Sequence, residues 1–218
     1  MNRMLIAVLG VLMLTAAESR AAVFERDWKA PGDGLLTYDN VNLREWLDVT
    51  ESDVSMFSPP RVDNAIAETG PGGLFEGFTL ASVEDVTDLA SSAGIEIGTQ
   101  NFALNGTATR SLINLLGVSW DVPADEAEFS VGWLSEFTIH PQPNCPCRLS
   151  AIFGVYPLNG LVGTAGLDLG IFTETSHPGL MLWRAAVPEP SVLTLAICSL
   201  ICLSFFRNKQ IAPSLFRN

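Results

Sequence analysis

The chain has 218 residues, with 24 Asp and Glu against 12 Lys and Arg and a formal net charge of −12. Between Ala22 and Ala186 lie 22 of those acids but only 7 of the basic residues, so the acidity belongs to the middle of the chain. Such a surface repels nucleic acid, and no basic patch interleaved with aromatics occurs, which excludes nucleic-acid binding as a function class.

The first elements are Met1-Asn2-Arg3, an apolar run from Met4 to Leu14, and small residues to Ala22. One early positive charge, an apolar centre and a small-residue end predict a secretory signal peptide over 1–21. Ser19 and Ala21 stand at the minus-three and minus-one places of a cleavage after Ala21, with cleavage after Ala17 as the competitor. An exported, acidic domain is then expected over 22–186.

Within it, Gly34 to Val49 predicts two short strands around an Asp39-Asn40-Val41-Asn42 turn. Ser58, Pro59 and Pro60, then Val62 to Thr69 before Gly70, predict a helix. Leu74 to Leu80 is expected as a strand after the Gly70-Pro71-Gly72-Gly73 loop. Ser82-Val83-Glu84-Asp85 predicts a capped helix start, with Val83, Val86, Leu89 and Ala90 on one face and Gly94 as its stop. A second amphipathic helix is expected over Thr109 to Leu116, ended by Gly117. Phe129 to Ile139 and Leu149 to Val155 are strand-prone, and Leu161 to Phe172 is apolar and glycine-rich. Leu180 to Ala186 reads as a last strand. This order predicts one α+β domain, antiparallel and β-rich, with two or three short helices.

The C-terminal part differs. Val187-Pro188-Glu189-Pro190-Ser191 leads into an uncharged run to Phe206, followed by Arg207 and Lys209. The run over 191–206 would span about 24 Å as a helix, slightly short of a hydrocarbon core of about 30 Å, and flanking residues make up the difference. Basic residues after it predict a single transmembrane helix with a short cytoplasmic tail over 211–218. Pro188 and Pro190 mark its outer boundary.

These residues resemble a PEP-CTERM sorting signal over 187–210. The resemblance implies recognition by exosortase, a membrane-embedded cysteine transpeptidase-like enzyme of Gram-negative bacteria that make extracellular polysaccharide. The tail after Lys209 is longer, and the basic cluster sparser, than that signal usually has. The body also resembles a recurrent group of PEP-CTERM proteins. Leu35-Leu36-Thr37-Tyr38-Asp39 and Glu45-Trp46-Leu47-Asp48 are similar to its "LTYD…GLEWLD" opening. Gly73 to Leu89 is similar to its "GWRYATAAEV" segment, with Phe78-Thr79-Leu80 in place of Trp-Arg-Tyr, a segment distantly similar to a lectin-like fold. Gly179 to Val187 is similar to its closing segment. The group carries no established chemistry.

Candidate sites are weak elsewhere. Asp33, Asp39, Asn40 and Asn42 offer oxygens of the kind Ca2+ takes, as do Asp121, Asp125, Glu126 and Glu128, but neither set has a known loop spacing and turn or surface roles are favoured. Cys145 and Cys147 are expected to form a local disulfide in an oxidising compartment. With His140 they would need a fourth ligand to hold zinc, and only His177 remains. No cofactor motif is present. No nucleophile elbow occurs, and the two histidines lie in proline-flanked, loop-like sequence, so no catalytic residue is assigned. Trp28, Trp46, Trp133 and Trp183 read as core, and Trp120, beside Asp121, as the exposed tryptophan best suited to stack on a sugar. Asn105-Gly106-Thr107 reads as a turn.

The expectation is an exported envelope or extracellular-matrix protein, anchored transiently or permanently, with exosortase, the membrane and extracellular polysaccharide as partners. The alternatives are a secreted or periplasmic hydrolase of that polysaccharide, and a permanently tethered, lectin-like module.

Overall fold

The structure is a computed structural model, and it describes residues 23–57, 61–122, 126–139, 146–156, 164–171 and 178–187. The chain divides into two units at Ala185/Ala186, and of the second only Ala186 and Val187 are described. The signal-peptide and transmembrane-helix expectations therefore lie outside the described residues. Among the described residues no helix is long and apolar enough to cross a membrane.

The body is α+β, with two largely antiparallel sheets and few helices. Its strands are β1 (Val23–Arg26), β2 (Leu36–Asp39), β3 (Arg44–Leu47), β4 (Thr79–Leu80), β5 (Trp120–Val122), β6 (Ala127–Ile139), β7 (Pro146–Tyr156), β8 (Thr164–Ile171), β9 (Gly179–Leu180) and β10 (Leu182–Ala185). The first sheet has the order β1-β2-β3-β10-β4. The second runs β5-β6-β7-β8, with β9 added in parallel to β6 at Gly132 and Trp133.

The expected hairpin forms as β2 and β3, with Asp39 opposite Arg44. Asp39 shapes the turn: its carboxylate accepts from the Val41 and Asn42 amides and from Asn42 Nδ2. Helix α1 spans Val62–Ala67 and starts at Arg61 without a side-chain cap; Ser58, the expected cap, is outside the described residues. Helix α2 (Val83–Ser92) starts as expected. Ser82 and Asp85 form a reciprocal capping box, a device worth about 1 kcal/mol. Gly94 takes a left-handed φ of 82° just past its end.

Four expectations are corrected. Leu74 to Leu80 is not a strand: only Thr79 and Leu80 pair, and 70–77 is a chain of turns that drives Phe75 and Phe78 into the core. Residues at i and i+3 face the same way in turns, which strand alternation forbids. Helix α3 is Phe102–Leu116 and begins seven residues before Thr109, capped by Asn101, whose side chain accepts from the Ala103 amide. Asn105-Gly106-Thr107 is therefore helix interior, not a turn, and Gly106 leaves room for the Phe102 ring. The last strand is two strands: at Met181 the chain crosses from one sheet to the other. The Met181 amide donates to the Trp133 carbonyl of β6, and its carbonyl accepts from the Ala81 amide beside β4.

Helices α2 and α3 place Val86, Leu89, Ala90, Leu112, Ile113 and Leu116 against Trp46 of the first sheet and Ala151, Phe153 and Val155 of the second. A second cluster lies behind the first sheet, where Leu36, Leu47, Leu180 and Leu182 meet Phe75, Phe78 and Trp133. Burying a Val, Leu or Phe side chain fully contributes about 1.5–3 kcal/mol, so these clusters dominate stability. Trp46 and Trp133 are core as expected, while Trp28 and Trp183 pack at its margin.

Candidate functional site

Strand β7 alternates. Ala151, Phe153 and Val155 face the helices, which turns Ile152, Gly154 and Tyr156 to the opposite face of the sheet. Part of that outer face is closed. Trp133 and Ser150 are paired and buried there, and Arg148 pairs with Asp63 of α1 at 3.2 Å. Toward Tyr156 it is open.

The open part is a shallow groove of about 110 Å³ lined by Gln100, Phe129, Ile152, Gly154, Tyr156 and Asp168, with Ala165 and Gly166 at its floor. Register places these residues side by side. Trp120 is opposite Phe129, Phe129 opposite Gly154, and Gly154 opposite Gly166, while Ile152 is opposite Asp168 in the next row. Gly154 is required, because a Cβ there would meet the Phe129 ring at 2.8 Å. The ring thus lies across the β7 backbone. Trp120 sits beside it, ring centroids 5.4 Å apart, and is 54% exposed. Three aromatic residues therefore border one polar strip made by Gln100 and Asp168.

Gln100 is placed from behind. Asn105, fully buried in α3, accepts from the Glu96 amide and donates to the Glu96 and Thr99 carbonyls at 2.9–3.1 Å. This holds 96–100 along the edge of β8, where the Gln100 carbonyl accepts from the Ala165 amide.

Flat aromatic faces next to a carboxylate and an amide fit the two surfaces of a sugar, whose C–H face stacks and whose hydroxyls hydrogen-bond. The groove is far smaller than the roughly 300–1,000 Å³ of pockets that engulf a small ligand. It can only be crossed by something lying over it. Asp168 is the one carboxylate among the lining residues, and glycoside hydrolysis uses two, about 5–9.5 Å apart.

The other expected sites distribute as follows. Asp33 is a turn residue: the amides of Trp28, Lys29, Ala30 and Leu35 donate to its carboxylate. Those bonds, the one from Trp28 foremost, hold its pKa down to about 2. Asp39 and Asn42 serve the β2–β3 turn. Asp121 and Glu128 are opposite each other on β5 and β6, and Glu128 pairs with Arg110 at 3.3 Å; Asp125 lies outside the described residues. Among the described residues, no three His, Cys, Asp or Glu side chains gather to hold a metal. Cys147 is on β7 opposite Thr138, while Cys145, His140 and His177 lie outside the described residues, so the disulfide expectation is not reached. Val187 is 73% exposed at the end of the described chain; Pro188, Glu189, Pro190, Ser191, Arg207 and Lys209 are beyond it.

Sequence reasoning singled out none of the lining residues, only Trp120 beside Phe129. Phe129, Tyr156 and Asp168 were accessible from the alternation of β6, β7 and β8, but Gln100 was not, since its position depends on the Asn105 contacts. No family model, no curated protein and no solved structure matches this chain.

Proposed function

We propose that this protein is an exported envelope or matrix protein, sorted by an exosortase through Val187–Ser191 and the apolar run behind it, whose body contacts extracellular polysaccharide without cleaving it. The groove lined by Phe129, Tyr156, Gln100 and Asp168, with Trp120 beside Phe129, carries this reading. Its small volume suits a polymer laid across the sheet, and its single carboxylate does not supply the pair that hydrolysis needs. The acidic body keeps the protein soluble once exported.

Affinity electrophoresis of the folded protein through the producing organism's own polysaccharide tests it. The wild type should be retarded. Trp120→Ala should lose most of the retardation, since stacking on one ring is worth about 0.5–1.5 kcal/mol or more. Unchanged migration of the wild type, or chain-length reduction of the polysaccharide, would overturn it.

A further inference from the structure

The carboxylate in the groove has no counter-ion within the body. Between Ala22 and Ala186 there are 7 Lys and Arg against 22 Asp and Glu, and all seven basic residues are described. Six of the seven pair with acids other than Asp168. The two that touch the second sheet are Arg110, on Glu128, and Arg148, on Asp63. The seventh, Arg61, stands two residues before Asp63, at the closed part of the outer face. No Lys or Arg of the body is left for Asp168.

The other charges on this sheet are turned away or distant. Glu128 is opposite the buried Val155, and Asp121 is opposite Glu128, so both alternate to the helix side, where Arg110 meets Glu128. Arg148 is four residues before Ile152 on β7, about 13 Å along the strand. Asp168 itself is exposed. Its one hydrogen bond among the described residues comes from the Leu169 amide, 2.9 Å from Oδ1, which leaves Oδ2 uncommitted. The Gln100 side-chain amide and the Tyr156 hydroxyl likewise have no hydrogen-bond partner among the described residues. Three polar side chains therefore face the groove with capacity to spare.

Register sets the reach between ring and carboxylate. The Phe129 ring lies over Gly154, Gly154 is opposite Gly166, and Asp168 is two residues beyond Gly166 on β8. From the ring to Asp168 is thus one strand spacing across the sheet, about 4.8 Å, and about 6.7 Å along it. A sugar stacked by its C–H face on Phe129 brings a ring substituent to Asp168. A hydroxyl there donates a neutral hydrogen bond. An ammonium donates a charge-assisted one, roughly twice as strong, and a carboxylate is repelled. The negative faces of the neighbouring aromatic rings favour the ammonium again.

We propose that the groove selects an amino sugar with a free, protonated amine over its N-acetylated and uronic acid counterparts, and that Asp168 is the selecting residue. This rests on the polysaccharide-contact part of the proposed function and names the class of polymer. The acidity of the whole body also attracts a cationic polymer, but that attraction is spread over the surface and is largely screened beyond about 10 Å at 0.1 M salt. Asp168 acts at contact, next to the stacked ring, so its share is separable from the rest.

The test titrates the full chain, in detergent micelles, against three labelled oligosaccharides of equal length: a glucosamine oligomer, its fully N-acetylated form and an oligouronate. Mildly acidic pH keeps the amine charged, and about 0.1 M salt screens the distant acids. The glucosamine oligomer should bind about two- to fivefold tighter than the N-acetylated form, the range of an exposed ion pair, and the oligouronate should bind most weakly. Asp168→Asn keeps an oxygen for the Leu169 amide and should bring the glucosamine and N-acetylated oligomers to equal affinity. Trp120→Ala should weaken both to the same degree. Equal affinities in the wild type, a preference for the oligouronate, or a glucosamine preference that survives Asp168→Asn would overturn the selectivity while leaving polysaccharide contact intact. So would failure of all three oligomers to bind a protein that the producing organism's own polysaccharide still retards. Loss of that retardation would remove the polysaccharide reading itself, and the selectivity with it.

Discussion

Replacing Asn105 by alanine isolates the contact on which the groove depends. The side chain makes three hydrogen bonds, all to backbone groups of residues 96–99, and is fully buried. Each contributes about 1 kcal/mol net, and the partners left behind keep a desolvation cost. Alanine recovers roughly 0.5 kcal/mol of helix propensity in the middle of α3. The balance is a loss of about 2–3 kcal/mol, read in urea as a lower midpoint at unchanged slope. Asn105→Asp should be at least as damaging, because it removes both donors and buries a charge. Hydrogen exchange should localise the change, with the Glu96 and Ala165 amides losing protection before the strands β6 and β7. A loss below about 0.5 kcal/mol would show that residues 96–100 hold their place without Asn105 and would refute the reasoning.

Three further outcomes follow from the packing. Glu45→Ala should cost about 2–4 kcal/mol, because Glu45 is buried between Arg26 at 3.0 Å and Arg184 at 2.8 Å; the partial exposure of both guanidiniums keeps the figure below that of a sealed pair. Equilibrium unfolding checks it, and Glu45→Gln should cost less. Gly179→Ala should cost about 3 kcal/mol or more, since the added methyl meets the Val49 carbonyl, a backbone group that cannot rotate away; a melting temperature within a degree or two of wild type would contradict this. Burial raises the pKa of Asp48, against the lowering effect of its bonds from Thr50. A raised carboxyl binds its proton more tightly in the folded state, so its charge weakens the fold as pH climbs through that pKa. Asp48→Asn should therefore match or exceed wild type in melts at neutral pH, and the difference should turn toward wild type as pH falls through the carboxyl range.

The elements that were legible in the sequence are those with a local cause. The α2 start follows from Ser82 and Asp85 alone, and the β2–β3 hairpin from its Asp-Asn turn. What was missed depends on partners distant in sequence. β1 is four residues with only Val23 and Phe24 as apolar signal, and it forms because β2 offers an edge. The 70–78 turns are set by Phe75 and Phe78 seeking a pocket beside Trp28, 5.7 Å from Phe78. Asn105-Gly106 is a turn signature by propensity, overruled because its amide side chain is satisfied by 96–99 and its missing Cβ admits Phe102. The break at Met181 is invisible in an apolar run, since it reflects the meeting of two sheets. The groove was half legible. Trp120 announces itself, but a cross-strand row is a property of register, which the sequence of single strands does not state.

Sorting through the C-terminal tag is the central claim, and the mass of the mature C-terminus tests it most directly. Intact-mass and C-terminal peptide analysis of protein recovered from the producing cells' envelope and medium should find β10 intact through Ala185 and the apolar run missing from the released form. Mature molecules that all end in Arg217-Asn218 would contradict it.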